Sequence, residues 1–135
     1  MYRRTELLTG WGRTAPTSAT VVLPAPGEDP APLLAEVRSN SARAARGIIA
    51  RGLGRSYGDP AQNGGGLVMQ VPGGGLSLDT ATGLLTADAG TSLDDILRVV
   101  VPQGWFVPVT PGTRYVTVGG AISAEQLRAA DAVLA

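Results

Sequence analysis

The stretch IIARGLGRSYGD, residues 48–59, combines a short apolar run with three glycines and two arginines. Because glycine lets backbone N–H groups approach an oxygen atom closely, and arginine supplies a planar pair of donors, this composition suits an anion such as a pyrophosphate. We predict that Gly47 to Ala50 forms a buried strand leading into the loop, and that Asp59-Pro60 blocks a helical continuation. By itself, the stretch also fits a glycine-rich hairpin turn with solvated arginines.

The glycine spacing excludes the two common phosphate-loop motifs. Gly52, Gly54 and Gly58 give the pattern G-x-G-x-x-x-G, so that Tyr57 stands where the dinucleotide-binding fingerprint requires its third glycine. A Walker loop needs a lysine, and the sequence contains none. What remains is a loop of backbone amides between two strands, with the two arginines beside it, which suits a diphosphate held without a helix dipole.

The composition excludes several classes of chemistry. All 11 basic residues are arginines, they are balanced by 11 acidic residues, and histidine and cysteine are absent. Imidazole and thiolate metal sites, Ser-His and Cys-His nucleophiles, disulfides and lysine Schiff bases are therefore not available, and we predict no metal site and no catalytic residue in this chain. The net charge of +0 gives no reason to expect a nucleic-acid partner. Since no apolar run reaches the length of a membrane span, we expect no such span and a cytoplasmic location.

The order of the predicted elements indicates an α+β fold. The 135 residues, 44% of them hydrophobic, suit one domain or part of one. A helix is predicted to begin at Asp29-Pro30, with the aspartate as its N-cap, and to end before Gly47. Short strands with tight glycine connections are predicted at residues 67–69 and 76–79 and around Leu85.

A second helix is predicted to begin at Ser92, which has an acidic residue three positions later in a variant of the capping box. This helix should end at Pro102 and Gly104. Residues 105–109 are predicted to be extended, and TVGGAI (residues 117–122) is predicted to form another glycine loop. The prediction is thus a fold of short strands beside two or three helices, in which the loop of residues 52–58 joins two strands.

Four segments together resemble a known family. They are LTGWGRTAP (residues 8–16), ARGLGRSYGD (50–59), AQNGGGLV (61–68) and PGTRYVTVGGAI (111–122). In order and spacing they resemble the FAD-binding domain of the vanillyl-alcohol-oxidase type, also called PCMH-type, over residues 7–122. The resemblance implies the first subdomain of such a domain, with FAD as the cofactor. Within the family, the motifs are similar to those of actinobacterial oxidases that act on the C2' hydroxyl of a lipid-linked ribose in cell-wall synthesis, and whose full-length members can be membrane-associated or periplasmic.

The resemblance also implies which residues bind the cofactor. The segment that wraps the pyrophosphate would be Ala50, Arg51, Gly52, Leu53, Gly54, Arg55, Ser56, Tyr57, Gly58, Asp59 and Pro60. The flavin side of the cofactor would be lined by Gly112, Thr117, Val118, Gly119 and Gly120. Relatives with a covalent flavin carry a histidine near position 57, so the tyrosine implies a noncovalent FAD. Simple packing of the tyrosine ring, and a plain glycine turn at TVGGAI, remain the alternatives.

The sequence departs from the family pattern at Ser123. Residues 123–135, SAEQLRAADAVLA, are predicted to form a divergent helix capped by Ser123 and Gln126, with an apolar side made by Leu127, Ala130 and Leu134. The resemblance implies that the remainder of the FAD domain, the substrate domain and its catalytic lysine are partners that this chain lacks. Two hypotheses follow: an FAD-binding fragment of an oxidoreductase that is inactive alone, or a noncatalytic truncated remnant or interaction module without bound flavin.

Overall fold

The computed structural model describes residues 1–124, which form parts of two compact units. The first unit is Met1–Pro72, and the second begins at Gly73. Each unit combines short strands with short helices, so the predicted α+β fold, a mixture of strands and helices, is confirmed. No helix within residues 1–124 has the length and the apolar character needed to cross a membrane.

The first unit is built on a four-stranded mixed sheet. Its strands are β1 (Tyr2–Leu8), β2 (Thr17–Leu23), β3 (Ile48–Arg51) and β4 (Leu67–Gln70), in the spatial order β1-β2-β4-β3. Strands β2, β3 and β4 are parallel, whereas β1 pairs antiparallel with β2 at one edge. The helices α1 (Ala31–Ser39) and α2 (Ser41–Arg46) connect β2 to β3.

Alternating residues of β2 face two separate apolar clusters. Val21 packs with Leu8, Ala19 and Val68 in one cluster. The adjacent Val22 packs in the other cluster, with Leu33 and Val37 of α1 and with Leu67. Successive side chains of a strand point to opposite faces, and the spacing of four residues between the two α1 side chains places both on one face of the helix. Helix α1 therefore covers one face of the sheet.

The predicted boundaries of this unit need small corrections. Helix α1 begins one residue later than predicted: Pro30 is its N-cap, and the Asp29 carboxylate accepts the Ala31 N–H at 2.9 Å from outside the helix. An extended Asn40 separates α1 from α2, and Gly47, with φ +66°, ends α2 as predicted. Strand β3 is half-buried and not buried, because it is an edge strand.

The second unit packs a hairpin against a helix. Strands β5 (Leu76–Asp79) and β6 (Leu84–Ala87) are antiparallel, and α3 (Leu93–Val100) continues into a 3₁₀ turn at Val101–Gln103. The Ser92 hydroxyl accepts the Asp95 N–H at 3.1 Å, so the predicted cap is confirmed. Residues 105–109 do not form a strand; they run irregularly, and Val107 packs against the core of α3.

The segment TVGGAI is helical, so the prediction of a glycine loop was wrong. Helix α4 (Val118–Ser123) begins after Thr117, whose hydroxyl accepts the Gly120 N–H at 3.1 Å. Two glycines disfavour a helix, but this cap and the contacts with preceding residues outweigh their low propensity. With α4, the described residues contain four short α-helices where two or three were predicted.

Ser123 is the last residue of α4. Its hydroxyl donates to the carbonyl oxygens of Gly119 and Gly120, at 2.9 and 3.1 Å. The other residues named for the predicted C-terminal helix lie outside the described residues: Gln126, Leu127, Ala130 and Leu134.

Candidate cofactor-binding site

The glycine loop (residues 52–58) leaves β3 without regular secondary structure and belongs to the connection from β3 to β4. The prediction of a loop between two strands is therefore confirmed. Gly54 has φ +66°, a conformation that favours glycine, and a Cβ there would lie 2.9 Å from the Arg51 Cζ. The loop can thus turn closely over the arginine side chain only with glycine at position 54.

The glycine loop has backbone donors with no acceptor in the part of the chain that the structure describes. Within residues 1–124, no acceptor is bonded to the N–H groups of residues 52–58. Two of the loop's carbonyl oxygens are bonded: Ser56 O accepts the Trp11 N–H at 2.9 Å, and Leu53 O accepts from Arg55 Nη1 at 2.6 Å. A loop with several uncommitted N–H groups has the donor set that anionic oxygens require.

The Arg51 side chain is engaged inside the first unit. Its guanidinium donates to Ala61 O at 2.6 Å and to Thr9 O at 2.8 Å, so it joins the start of the glycine loop to two distant segments. Partial burial lowers the pKa of the Arg51 guanidinium from its ordinary value, and the Glu6 carboxylate opposes that change. The sequence pattern placed Arg51 at the anion site, but in the structure its side chain forms hydrogen bonds that hold backbone segments of the first unit together.

Arg55 has guanidinium N–H donors that make no hydrogen bond with the described residues. Its side chain is exposed, makes a single hydrogen bond to Leu53 O, and forms no ion pair with the described residues. A guanidinium has five N–H donors, so most of those on Arg55 are available to an anion.

Tyr57 lies on the surface of the loop. Its side chain is 80% exposed, and its ring contacts the 62% exposed Trp11 edge-on, with 5.5 Å between the ring centroids and an interplanar angle of 89°. Tyr57 is therefore not a core residue, and its ring is accessible to a ligand. No local sequence pattern pairs these two aromatic residues, which are far apart along the chain.

A neighbouring segment, residues 9–13, packs against the glycine loop. A Cβ on Gly12 would overlap the Tyr57 carbonyl oxygen, and a Cβ on Gly10 would overlap Gly58 O and lie 2.7 Å from Ser56 O. From the sequence, this segment was identified only as part of a motif shared with the FAD-binding family. The available signal was the pattern G-W-G, because two glycines flanking a bulky residue indicate a close approach of backbones.

The remaining predicted residues of the first unit stand at the margins of the glycine loop. Ala50 is an exposed residue of β3, and the turn that begins at Asp59-Pro60 is closed by the Gln62 N–H donating to Asp59 O at 2.9 Å. The Gln62 side chain then donates to Ala15 O at 3.1 Å, and Asn63 Nδ2 donates to Leu67 O at 3.1 Å. These two amides anchor the second half of the connection.

Three of the predicted residues of the second unit use their backbone donors within that unit. The N–H groups of Val118 and Gly119 donate to Thr91 O at 2.9 Å and Ala89 O at 2.8 Å, and the Gly120 N–H donates to its N-cap. A Cβ on Gly119 would lie 3.2 Å from Ala89 O, so glycine permits this close packing. These residues can offer a ligand an apolar surface but few free donors.

Gly112 lies beside a pocket of the second unit. The pocket has a volume of about 200 Å³, and its lining consists of one side of α3 and the segment that follows the 3₁₀ turn: Leu93, Leu97, Val107, Thr110, Pro111, Gly112, Thr113 and Arg114. Arg114 is paired there with Asp94 at 2.9 Å. The pocket is thus mainly apolar, with its one cation neutralised.

Comparison with known proteins matches one family model and several curated proteins, of which two are described here. A family model described as FAD binding domain matches residues 19–128. A decaprenylphosphoryl-beta-D-ribose oxidase of Mycolicibacterium smegmatis is 51% identical over 123 residues, which are 90% of this chain and 26% of the oxidase. A protein of Streptomyces coelicolor, described as an uncharacterized protein in mprA 5'region, is 53% identical over 34 residues, 25% of this chain and 9% of that protein. The chain therefore spans about a quarter of the length of the oxidase that it resembles.

Proposed function

The chain belongs to the FAD binding domain family, and from this membership we propose that it binds FAD noncovalently through the glycine loop. The observation that carries the proposal is the set of unused N–H groups at residues 52–58. The pyrophosphate of FAD has several anionic oxygens, and backbone donors of this kind are a common way to hold them. The free guanidinium N–H groups of Arg55 add a charge-assisted donor beside the loop.

The other predicted residues belong to the second unit, and the family resemblance assigns them to the flavin. Gly112 and residues 117–120 would lie along the flavin side and offer surface more than hydrogen bonds. When bound, FAD supplies a ring system that accepts a hydride. The chain has no histidine or cysteine for a covalent bond to this ring, and the exposed Tyr57 stands at the position that the family resemblance associates with such a bond.

We further propose that residues 7–122 are the pyrophosphate-binding part of an oxidase acting on a lipid-linked ribose, and so take part in making a cell-wall precursor. The support is the name and the 51% identity of the mycobacterial relative. Proton removal from a hydroxyl group usually needs an acid–base residue with a suitable pKa, and the chain contains neither lysine nor histidine. The remainder of the FAD domain and a substrate domain would therefore have to supply that chemistry.

A titration tests the cofactor proposal. The purified 135-residue chain is titrated with FAD by calorimetry, and we expect saturable binding with one FAD per chain. ADP, which retains the diphosphate, should compete, whereas riboflavin, which lacks it, should not. If FAD does not bind saturably, the proposal is wrong and the second hypothesis, a noncatalytic remnant or interaction module, takes its place.

A further inference from the structure

We propose that residues 9–13, hereafter the clasp, act as a positioning segment that holds the glycine loop in its anion-binding conformation. The inference rests on the proposed FAD binding and deepens it, because it assigns part of the cofactor affinity to residues that contact the carbonyl oxygens of the loop. Gly10 and Gly12 are the positioning residues. The Arg51 guanidinium assists them by donating a hydrogen bond to Thr9 O of the clasp.

The clasp lies in close steric contact with the loop. The atoms nearest to the hypothetical Cβ positions of Gly10 and Gly12 are the carbonyl oxygens of Ser56, Tyr57 and Gly58. Three consecutive carbonyl groups of the loop therefore face the clasp. Neither glycine has a positive φ, so what requires glycine at positions 10 and 12 is the closeness of the loop and not the local backbone conformation.

Hydrogen bonds also hold the clasp in place. The Trp11 N–H donates to Ser56 O at 2.9 Å, and Arg51 Nη2 donates to Thr9 O at 2.8 Å, so the clasp is bonded both to the loop and to the β3 residue that precedes it. The clasp itself is closed by the Arg13 N–H donating to Gly10 O at 3.1 Å. Arg13 has φ 52°, a left-handed conformation that is uncommon for a residue other than glycine.

Together these contacts divide the polar groups of the loop. Its carbonyl oxygens at residues 56–58 are directed to the clasp, while its N–H groups have no acceptor among the described residues. An anion binds well where donors are exposed and repelling carbonyl oxygens are turned away. Holding a flexible glycine segment in this state before the ligand arrives reduces the ordering entropy lost on binding, which raises affinity.

The test compares two glycine substitutions in the full chain. Gly12→Ala places a methyl group against Tyr57 O, and we expect the Kd for FAD to rise about tenfold or more. Gly27→Ala is the matched control: Gly27 has φ +74° and open space around it, so alanine strains the backbone of the same unit without touching the loop. The control should lower the melting temperature while leaving the Kd for FAD close to that of the wild type.

A second variant covers the case in which Gly12→Ala does not fold. Arg51→Met removes the bond to Thr9 O and should also raise the Kd for FAD. If Arg51 acts through the clasp, the salt dependence of FAD binding should stay as in the wild type, because no charge–phosphate contact is lost. A reduced salt dependence would mean that Arg51 contacts the phosphates directly, and it would overturn the positioning role of its side chain. Where both variants fold, their effects on FAD binding should be less than additive.

A ligand-free measurement separates this inference from the FAD proposal. Nuclear Overhauser effects between the Trp11 and Tyr57 rings, 5.5 Å apart, report the closed clasp without any cofactor. We expect them in the wild type and in Gly27→Ala, and their loss in Gly12→Ala. If wild-type FAD binding fails but the ring signals behave as expected, the FAD proposal falls and the structural clasp stands. If the wild type binds FAD and Gly12→Ala binds it equally well, the clasp inference is wrong and the FAD proposal stands.

Discussion

Arg51, at the end of β3, and Arg55, in the glycine loop, have different roles. Arg51 is half-buried, and its guanidinium donates hydrogen bonds to two backbone carbonyl oxygens. Arg55 is exposed, and most of its N–H donors make no hydrogen bond with the described residues. The sequence could not separate them, because the partner that distinguishes Arg51 is Thr9, 42 residues earlier. A contact between residues so far apart cannot be predicted from the local sequence pattern. Arg55 differs from Arg51 in having no such long-range contact.

Removing the Arg55 charge should weaken FAD binding. We expect Arg55→Gln to cost about 1–3 kcal/mol of binding free energy, the usual range for a lost charge-assisted hydrogen bond. The matched control is Arg38→Gln, which removes the same charge from the exposed last turn of α1. Calorimetric titration of both variants and the wild type provides the comparison. An unchanged Kd in Arg55→Gln, or an equal loss in Arg38→Gln, would contradict a specific role for Arg55.

At the scale of elements, local signals predicted the parts whose stabilising contacts are local. The helix α3 was predicted from Ser92 and its apolar spacing because its cap lies within three residues. Strand β1 was not predicted, because its sequence, YRRTELL, is mostly polar and has no apolar pattern typical of a strand. Its extended conformation is stabilised by antiparallel pairing with β2. Helix α4 was mistaken for a loop because its two glycines suggest flexibility, while its donors depend on Ala89 and Thr91.

The candidate site shows the same division. The connection between two strands and the absence of a helix after it could be read from the glycines and from Asp59-Pro60. The clasp could not be predicted as a neighbour of the loop, because contact between residues 10–12 and 56–58 depends on how the sheet orders its strands. The sequence therefore predicts the loop as a segment, and the fold determines which of its polar groups remain free.

The hairpin of β5 and β6 should contribute a pH-dependent term to stability. The Asp79 carboxylate accepts the Thr82 hydroxyl at 2.8 Å and the Ala81 N–H at 2.9 Å, and these bonds, the hydroxyl first, lower the pKa of Asp79 below its ordinary value of 3.8. A group whose pKa is lowered by folding stabilises the folded state above its unfolded pKa. That contribution is present above pH 3.8 and is lost as the pH falls through the folded pKa.

Urea unfolding at a series of acidic pH values measures this contribution. The free energy of unfolding of Asp79→Asn should depend less on pH below 3.8 than that of the wild type. Thr82→Val, which removes the largest cause of the shift but keeps the carboxylate, should give an intermediate dependence. Parallel curves for the wild type and Asp79→Asn would show that the two hydrogen bonds do not favour the ionised form.

For the whole molecule, we predict binding without turnover. The chain has no lysine and no histidine to accept a hydroxyl proton, and it spans about a quarter of the length of its oxidase relative. The purified chain with FAD and a polyprenyl-phosphoryl ribose should leave the flavin absorbance unchanged under anaerobic conditions. The full-length mycobacterial oxidase is the positive control and free FAD the background. Substrate-dependent bleaching above that background would show that this chain alone carries the redox chemistry.

The division of the chain into two units has an optical consequence. The sequence contains two tryptophans, and the units hold one each: Trp11 lies edge-on to Tyr57 in the first, and Trp105 lies against Gly83 in the second. A variant that keeps only Trp11 would therefore report on the first unit, and a variant that keeps only Trp105 would report on the second. Loosening of one unit alone would change the emission of one tryptophan and leave that of the other as it was, so the order in which the units unfold becomes directly observable without an added dye.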